Sequence, residues 1–315
     1  MMNLVSKLLR RIFLSLLVLT LFFITSTAGR HVCHAQRLVV PISIHPATAQ
    51  EYMKFMAAHP EGPAGIEHVG NNTLTRGIAE VLIIAKALQL GGIDPTFEYK
   101  FVPNARRETM EVANGMAVIC SQQFNKYTML TPGYKESLYL SSPIIRFGEF
   151  QKGFYCLPDN KKVLEARTVQ ELNAAGTGLV GRHWNNDHQV LTAMGLTDIE
   201  TAPTFKALFE MLRVGRGDWI PLEFSNAKDL SRIQFGVRVV PVPGIKFSLL
   251  ESRHFLVSRT HRLGPEVFAA LEKGIAQLRQ RGFIRETLSA AGFFNEQTKS
   301  WRMLNQAEVD AGQQD

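Results

Sequence analysis

Seven consecutive residues, Gly181-Arg182-His183-Trp184-Asn185-Asn186-Asp187, bring together types that can hold a small molecule. They follow a short apolar run at 178–181, which reads as a strand, and precede a helical pattern at 186–194. In such a strand-to-helix turn the first N–H groups of the helix lack partners and can bind an anionic or carbonyl oxygen. Arg182 adds a cation, His183 a titratable ring, and Trp184 a flat face for a ring or apolar body. The same residues also have a purely structural use: Asn185 or Asn186 caps the helix, Trp184 fills a core, and Arg182 is solvated. His183 and Asp187 share one helical face beside His188, but two ligands from one turn do not complete a metal site. No metal or cofactor is expected.

A second candidate is Glu223, just past the short strand Trp219-Ile220-Pro221, where its carboxylate either meets an ammonium group or lies on the surface. Tyr134, Ser141 and Ser142, with Arg106 and Arg107 at the start of a helix, are the candidates from the first half. Cations are unfavourable at a helix start unless an anion offsets them, and a bound ligand or an acid such as Glu108 or Glu111 would do so. The chain has no G-x-S-x-G elbow, no zinc spacing and no phosphate loop, so no catalytic set is expected.

The elements that must position these residues are legible from periodicity. In 204–224, Phe205, Leu208, Phe209 and Leu212 fall at i, i+3, i+4 and i+7, one apolar stripe on a three-turn helix. Gly215 and Gly217 then break the pattern before the strand. Upstream, strands are expected at 37–44, 96–102 and 115–120, with helices at 73–90, closed by Gly91-Gly92, and at 106–113. Residues 45–72, rich in Pro, Gly, Ala and His, read as an irregular insertion. Segments 150–157 and 237–242 read as strands. A helix at 265–280 carries Val267, Phe268, Leu271, Ile275 and Leu278 on one face.

The N-terminus shows a basic start (Lys7, Arg10, Arg11), an apolar run at 12–24 and a small-residue exit, the three zones of a secretory signal peptide. Thirteen residues fall short of the ~20 that a spanning helix needs. Cleavage fits after Ala28 or Ala35, and Ala35 is preferred because Arg37 starts the first strand. The formal charge of +7 belongs largely to that leader: beyond residue 35 there are 31 basic against 28 acidic side chains, with no basic block. Nucleic-acid binding therefore has no support. Cys120 and Cys156 remain in the exported chain, as a disulfide or as two buried thiols.

The spacing Leu208…Leu212…Gly215-Arg216-x-Asp218…Pro221 resembles the second lobe of type 2 periplasmic solute-binding proteins, the family 3 group that includes amino-acid binders. Thr131, Pro132, Ser141 and Pro143 keep the spacing of that group's T-P-E-R and S-x-P segments. Tyr134 stands in the Arg position and cannot make the two-pronged carboxylate bond that Arg makes there. The resemblance implies an α/β chain of two lobes, each a doubly wound mixed sheet with flanking helices. It places a signal peptide at 1–35, lobe 1 at 36–150 completed by 247–315, and lobe 2 at 151–246. It implies a monomer that captures a small polar solute in the periplasm, in the cleft between lobes, and presents it to a membrane permease of an ABC transporter or to a membrane sensor. Tyr134, Ser141, Arg182, His183, Trp184, Glu223 and Arg106 would be its ligand contacts. The alternative is a periplasmic enzyme on the same scaffold, similar to cyclohexadienyl dehydratases, with Glu223 or His183 as general acid.

Overall fold

A computed structural model describes residues 36–70 and 74–312, so the signal peptide expected at 1–35 lies outside the described residues. The first strand, β1 (Gln36–Ile44), buries Val40, Ile42 and Ile44 completely. Helix α1 (Pro46–Ala57) follows at once. This corrects the irregular reading of 45–72: Pro46 has its φ preset for a first turn, and His45 Nδ1 accepts from Ala47 N at 3.3 Å. Helix α2 (Arg76–Gly91) is capped by Thr75 and stopped by Gly92 at φ +108°. Every residue from Ile78 to Leu88 is buried, including Glu80 and Lys86, so α2 is an interior helix. Lys86 Nζ donates to the carbonyls of Pro63 (3.2 Å), Ala64 (3.0 Å) and Ile66 (2.5 Å), which ties the turn after α1 to the core.

Strand β2 (Ile93–Phe101), helix α3 (Ala105–Ala113), strand β3 (Ile119–Cys120) and strand β4 (Leu138–Leu140) complete the first run. The third strand is only two residues long, against six expected. Downstream lie β5 (Gln151–Cys156), β6 (Gly178–Gly181), α4 (Asn185–Ala193), β7 (Ile199–Ala202), α5 (Phe205–Arg213), β8 (Ile220–Leu222), β9 (Val237–Pro241) and β10 (Ile245–Ser248). The chain then returns with β11 (Leu256–Ser258), α6 (Gly264–Gln280) and α7 (Phe283–Ala290).

These strands repeat one topology. In the first sheet the order is β2-β1-β3-β11-β4, with β1 parallel to β2 and β3, and β11 antiparallel to β3 and β4. In the second, β7 and β6 pair in parallel, and a parallel bridge from Gly178 to Trp219 carries β6 onto β8. Strand β5 is antiparallel to β8 on one edge and to β9 and β10 on the other. The order β7-β6-β8-β5-β9 thus mirrors the first, with the fourth strand reversed in each. In the first sheet that strand is β11, which arrives only after the chain has completed the second; in the second sheet it is β5, the first of its strands in chain order.

Helix α6 packs along α2 so closely that glycine is required at the crossing. A Cβ on Gly274 would lie 1.8 Å from Ala87 O, and one on Gly91 would lie 2.1 Å from Ala270 O. Cys120 and Cys156 are free and buried, one in each sheet, so the open question of a bridge resolves to two thiols.

Candidate functional site

A cavity of about 280 Å³ opens where the two sheets meet. Its walls come from both halves. Arg76 is the first residue of α2, and Arg253 precedes β11. From the other side come Phe150 and Lys152 around the start of β5, Trp184 and Asp187 at the start of α4, Phe205 at the start of α5, and Pro221, Leu222, Glu223 and Arg232.

One contact that joins the halves is ionic. Arg76 Nη1 donates to Glu223 Oε1 at 3.1 Å, while its Nε donates to Glu80 Oε1 at 3.0 Å, one turn along α2. A cation at N1 opposes the helix dipole, and these two carboxylates offset that cost. Lys152 Nζ donates to Asp187 Oδ1 at 2.5 Å, with the two side chains 9% and 8% exposed, and lies 4.8 Å over the Trp184 ring. Arg253 pairs with the fully buried Glu251, which also accepts from Asn186. Arg232 donates to the backbone carbonyls of Glu223 (2.8 Å) and Phe224 (3.0 Å).

Burial and charge set the protonation states. Burial pushes Glu223 up, but the Arg76, Lys152, Arg232 and Arg253 cations outweigh it and hold the carboxyl below its usual range. Glu80 and Glu251 go the other way: burial raises both, and their arginine partners offset only part of the rise. Burial also pulls Arg253 below the usual guanidinium range, against the pull of Glu251.

A second cavity, of about 330 Å³, shares Arg76 and lies at the carboxyl ends of β1, β2 and β3. His45, Asn104, Ser121 and Gln122 are on its wall. Beneath them Glu108 is buried, and its two oxygens accept from Ser121 N (2.5 Å), Ser121 Oγ (3.0 Å), Gln122 N (3.3 Å) and Gln122 Nε2 (2.5 Å). Burial raises its pKa to about 7, against the pull of those donors. Strand ends of this kind are where open α/β sheets hold ligands.

Of the residues singled out in the sequence, Trp184 and Glu223 line the cavity between the halves. Arg182 and His183, one turn earlier, are exposed and do not line either cavity. Arg106 is exposed on the first turn of α3. Tyr134 packs against the apolar cluster of Val112, Leu138 and Leu256. Ser141 is buried: its Oγ accepts from Phe255 N at 2.9 Å, and its carbonyl accepts from His254 Nδ1 at 2.6 Å. Sequence reasoning missed Arg76, Lys152, Arg232 and Arg253. The one available signal was Arg76 directly after a Thr cap, the same conflict of a cation at a helix start noticed at Arg106. Phe205 belongs to the stripe that faces the core, but it is 41% exposed because it sits beside Trp184 on the cavity wall (ring centroids 6.1 Å apart).

Two solved structures align with this chain over most of its described length. The probable amino-acid ABC transporter extracellular-binding protein ytmK from Bacillus subtilis aligns with a TM-score of 0.52 at 12% identity, over 82% of this chain and 100% of that one. Substrate binding domain 2 of Lactococcus lactis GlnP, in its open conformation, aligns at 0.51 and 11%, over 82% and 96%. The fold is the two-lobed, type 2 periplasmic-binding-protein fold. At such identities the likeness reaches the fold and stops there. No protein-family model and no curated protein matches the sequence. Among the described residues, no group of three or more His, Cys, Asp or Glu side chains could hold a metal, and no helix is long and apolar enough to cross a membrane.

Proposed function

We propose that the protein is an extracytoplasmic solute-binding protein that captures a small polar ligand between its lobes. In this reading residues 36–150 with 247–315 form lobe 1, 151–246 form lobe 2, and 1–35 direct export. The observation that carries it is the 280 Å³ cavity walled from both sheets and spanned by Arg76 and Glu223. A site assembled from two bodies is made and unmade by their relative motion, so ligand binding favours a closed form that a partner can recognise. That partner is a membrane permease or a membrane sensor, and one solved structure that shares the fold is named a probable amino-acid ABC transporter extracellular-binding protein. Trp184 and Glu223 line the ligand site; Arg182, His183, Arg106, Tyr134 and Ser141 would join them only if closure moved their segments.

An enzymatic reading with Glu223 as general acid has less support. A general acid must hold a proton at working pH, and four cations hold Glu223 in the ionised form.

The test is a thermal-shift screen of the purified protein against amino acids, small carboxylates, amines and sugars. A true ligand at a hundred times its dissociation constant adds ~2.7 kcal/mol of stability. No stabilisation by any class would overturn the reading, as would turnover of a cyclohexadienyl substrate that Glu223→Gln abolishes.

A further inference from the structure

The charges facing the 280 Å³ cavity are unequal. Arg76, Lys152, Arg232 and Arg253 face Asp187 and Glu223, four cations against two anions. Glu80 and Glu251 lie behind that wall, with side chains 3% and 0% exposed. Arg232 spends its head on two backbone carbonyls, which cancel no charge. Arg253 Nε is out of contact with solvent and has no acceptor among the described residues. A buried donor of this kind is costly until something accepts from it.

The ion pairs also differ in how easily a ligand could exchange with them. Lys152–Asp187 is closed to water, as is the Glu80 end of the Arg76 contact. Arg76–Glu223 is open, with side chains 32% and 30% exposed. Solvent-exposed pairs are worth little, so trading one carboxylate for another at Arg76 costs almost nothing, whereas stripping Glu80 would leave a buried carboxyl unpaired. Next to this exchangeable anion stand the flat faces of Trp184 and Phe205.

We propose that Glu223 is a built-in counter-ion, and that the ligand is an organic anion whose carboxylate displaces it from Arg76 while an apolar or aromatic body lies against Trp184 and Phe205. This rests on the solute-binding reading and specifies the ligand class. On the cavity wall itself a bound cation would join four cations, whereas a bound anion would join only Asp187 and Glu223; Glu80 and Glu251 balance the set from behind that wall.

Three probes of one shape and different charge separate the alternatives: benzoate, benzylammonium and phenylalanine, each measured by thermal shift and calorimetry on the wild-type protein and on Glu223→Gln. Benzoate should bind the wild type, bind Glu223→Gln about threefold more tightly because its competitor is gone, and fail to bind Arg76→Gln. Trp184→Ala should weaken benzoate and leave acetate unchanged. If Glu223→Gln does not fold, Glu223→Asp, one methylene shorter, also loosens the Arg76 contact and should show the same gain. Benzoate binding that is unchanged or weaker in a folded Glu223 variant would overturn the proposal. So would benzylammonium or phenylalanine binding that Glu223→Gln abolishes, which would put an ammonium at Glu223 while leaving solute binding intact. No response to any of the three probes in either variant would also overturn it, and the wider screen would then judge solute binding by itself.

Discussion

In the half ordered β2-β1-β3-β11-β4, the strand ends meet helix starts bearing Arg76 and Asn104, above the buried carboxyls of Glu80 and Glu108. In the half ordered β7-β6-β8-β5-β9, the equivalent ends carry Trp184, Asp187 and Glu223 beside Phe205. One topology thus presents a polar, hydrogen-bonding wall on one side and rings with a few fixed charges on the other. The backbone path decides where a ligand can sit, and the side chains at the strand ends decide its chemistry. The halves differ in bulk as well. The first is braced by α2 against α6, while the second is a smaller body whose own core centres on Leu208, Phe209 and Leu212.

The largest break in this comparison should come at the join between β6 and β8. Trp219 is buried, bridges to Gly178 and packs edge-on against Phe154 (centroids 5.3 Å apart). Trp219→Ala should cost about 4 kcal/mol in urea unfolding; a loss below 1 kcal/mol would mean that the second sheet does not depend on this strand contact. In the first half the matching test is Gly274→Val. The added carbons meet backbone rather than a flexible side chain, so α6 must lift from α2 at a cost of about 3 kcal/mol.

A pH series sharpens the contrast between the two sets of carboxyls. Glu108 has its folded pKa raised to about 7, so its contribution is fully present below the unfolded value and is lost as pH rises through about 7. Between roughly pH 5 and pH 7 that amounts to about 2 kcal/mol, and Glu108→Gln should flatten the urea midpoint across the interval. Glu223 is depressed, so its contribution is present above the usual carboxylate value and is lost on acidification. An unchanged slope in Glu108→Gln would assign the pH dependence to other groups. The smallest effect should be at a cap in the second half: Thr204 Oγ1 accepts from Ala207 N at 3.1 Å, and Thr204→Ala should cost about 1 kcal/mol, read from the same unfolding curves.

Much of the second half could be read directly from the chain. The stripe of Leu208, Phe209 and Leu212, the glycine breaks and the strand at Ile220 all lie where periodicity puts them, because local pattern and tertiary burial agree there. Helix α1 was hidden although its Ala, Gln, Glu, Met and Lys residues favour a helix: its stripe is thin, with only Ala49 and Tyr52 buried, and the Pro, Gly and His residues of the stretch around it masked the pattern. At the site, Trp184 and Glu223 were legible as strand-end residues, but their partner Arg76 is 147 positions away from Glu223. Nothing in local spacing marks such a pair.

The order of residues by itself settled where helices start and stop, which faces are apolar, and that two α/β runs follow one another. Those are short-range matters, governed by turn chemistry and by periods of two and 3.6 residues. Only the folded chain decided that β11 returns from beyond the second half to complete the first sheet, that Gly274 must meet Ala87, and that four cations gather around Glu223. Charges interact through space, and distances across a fold are set by packing that no single segment encodes.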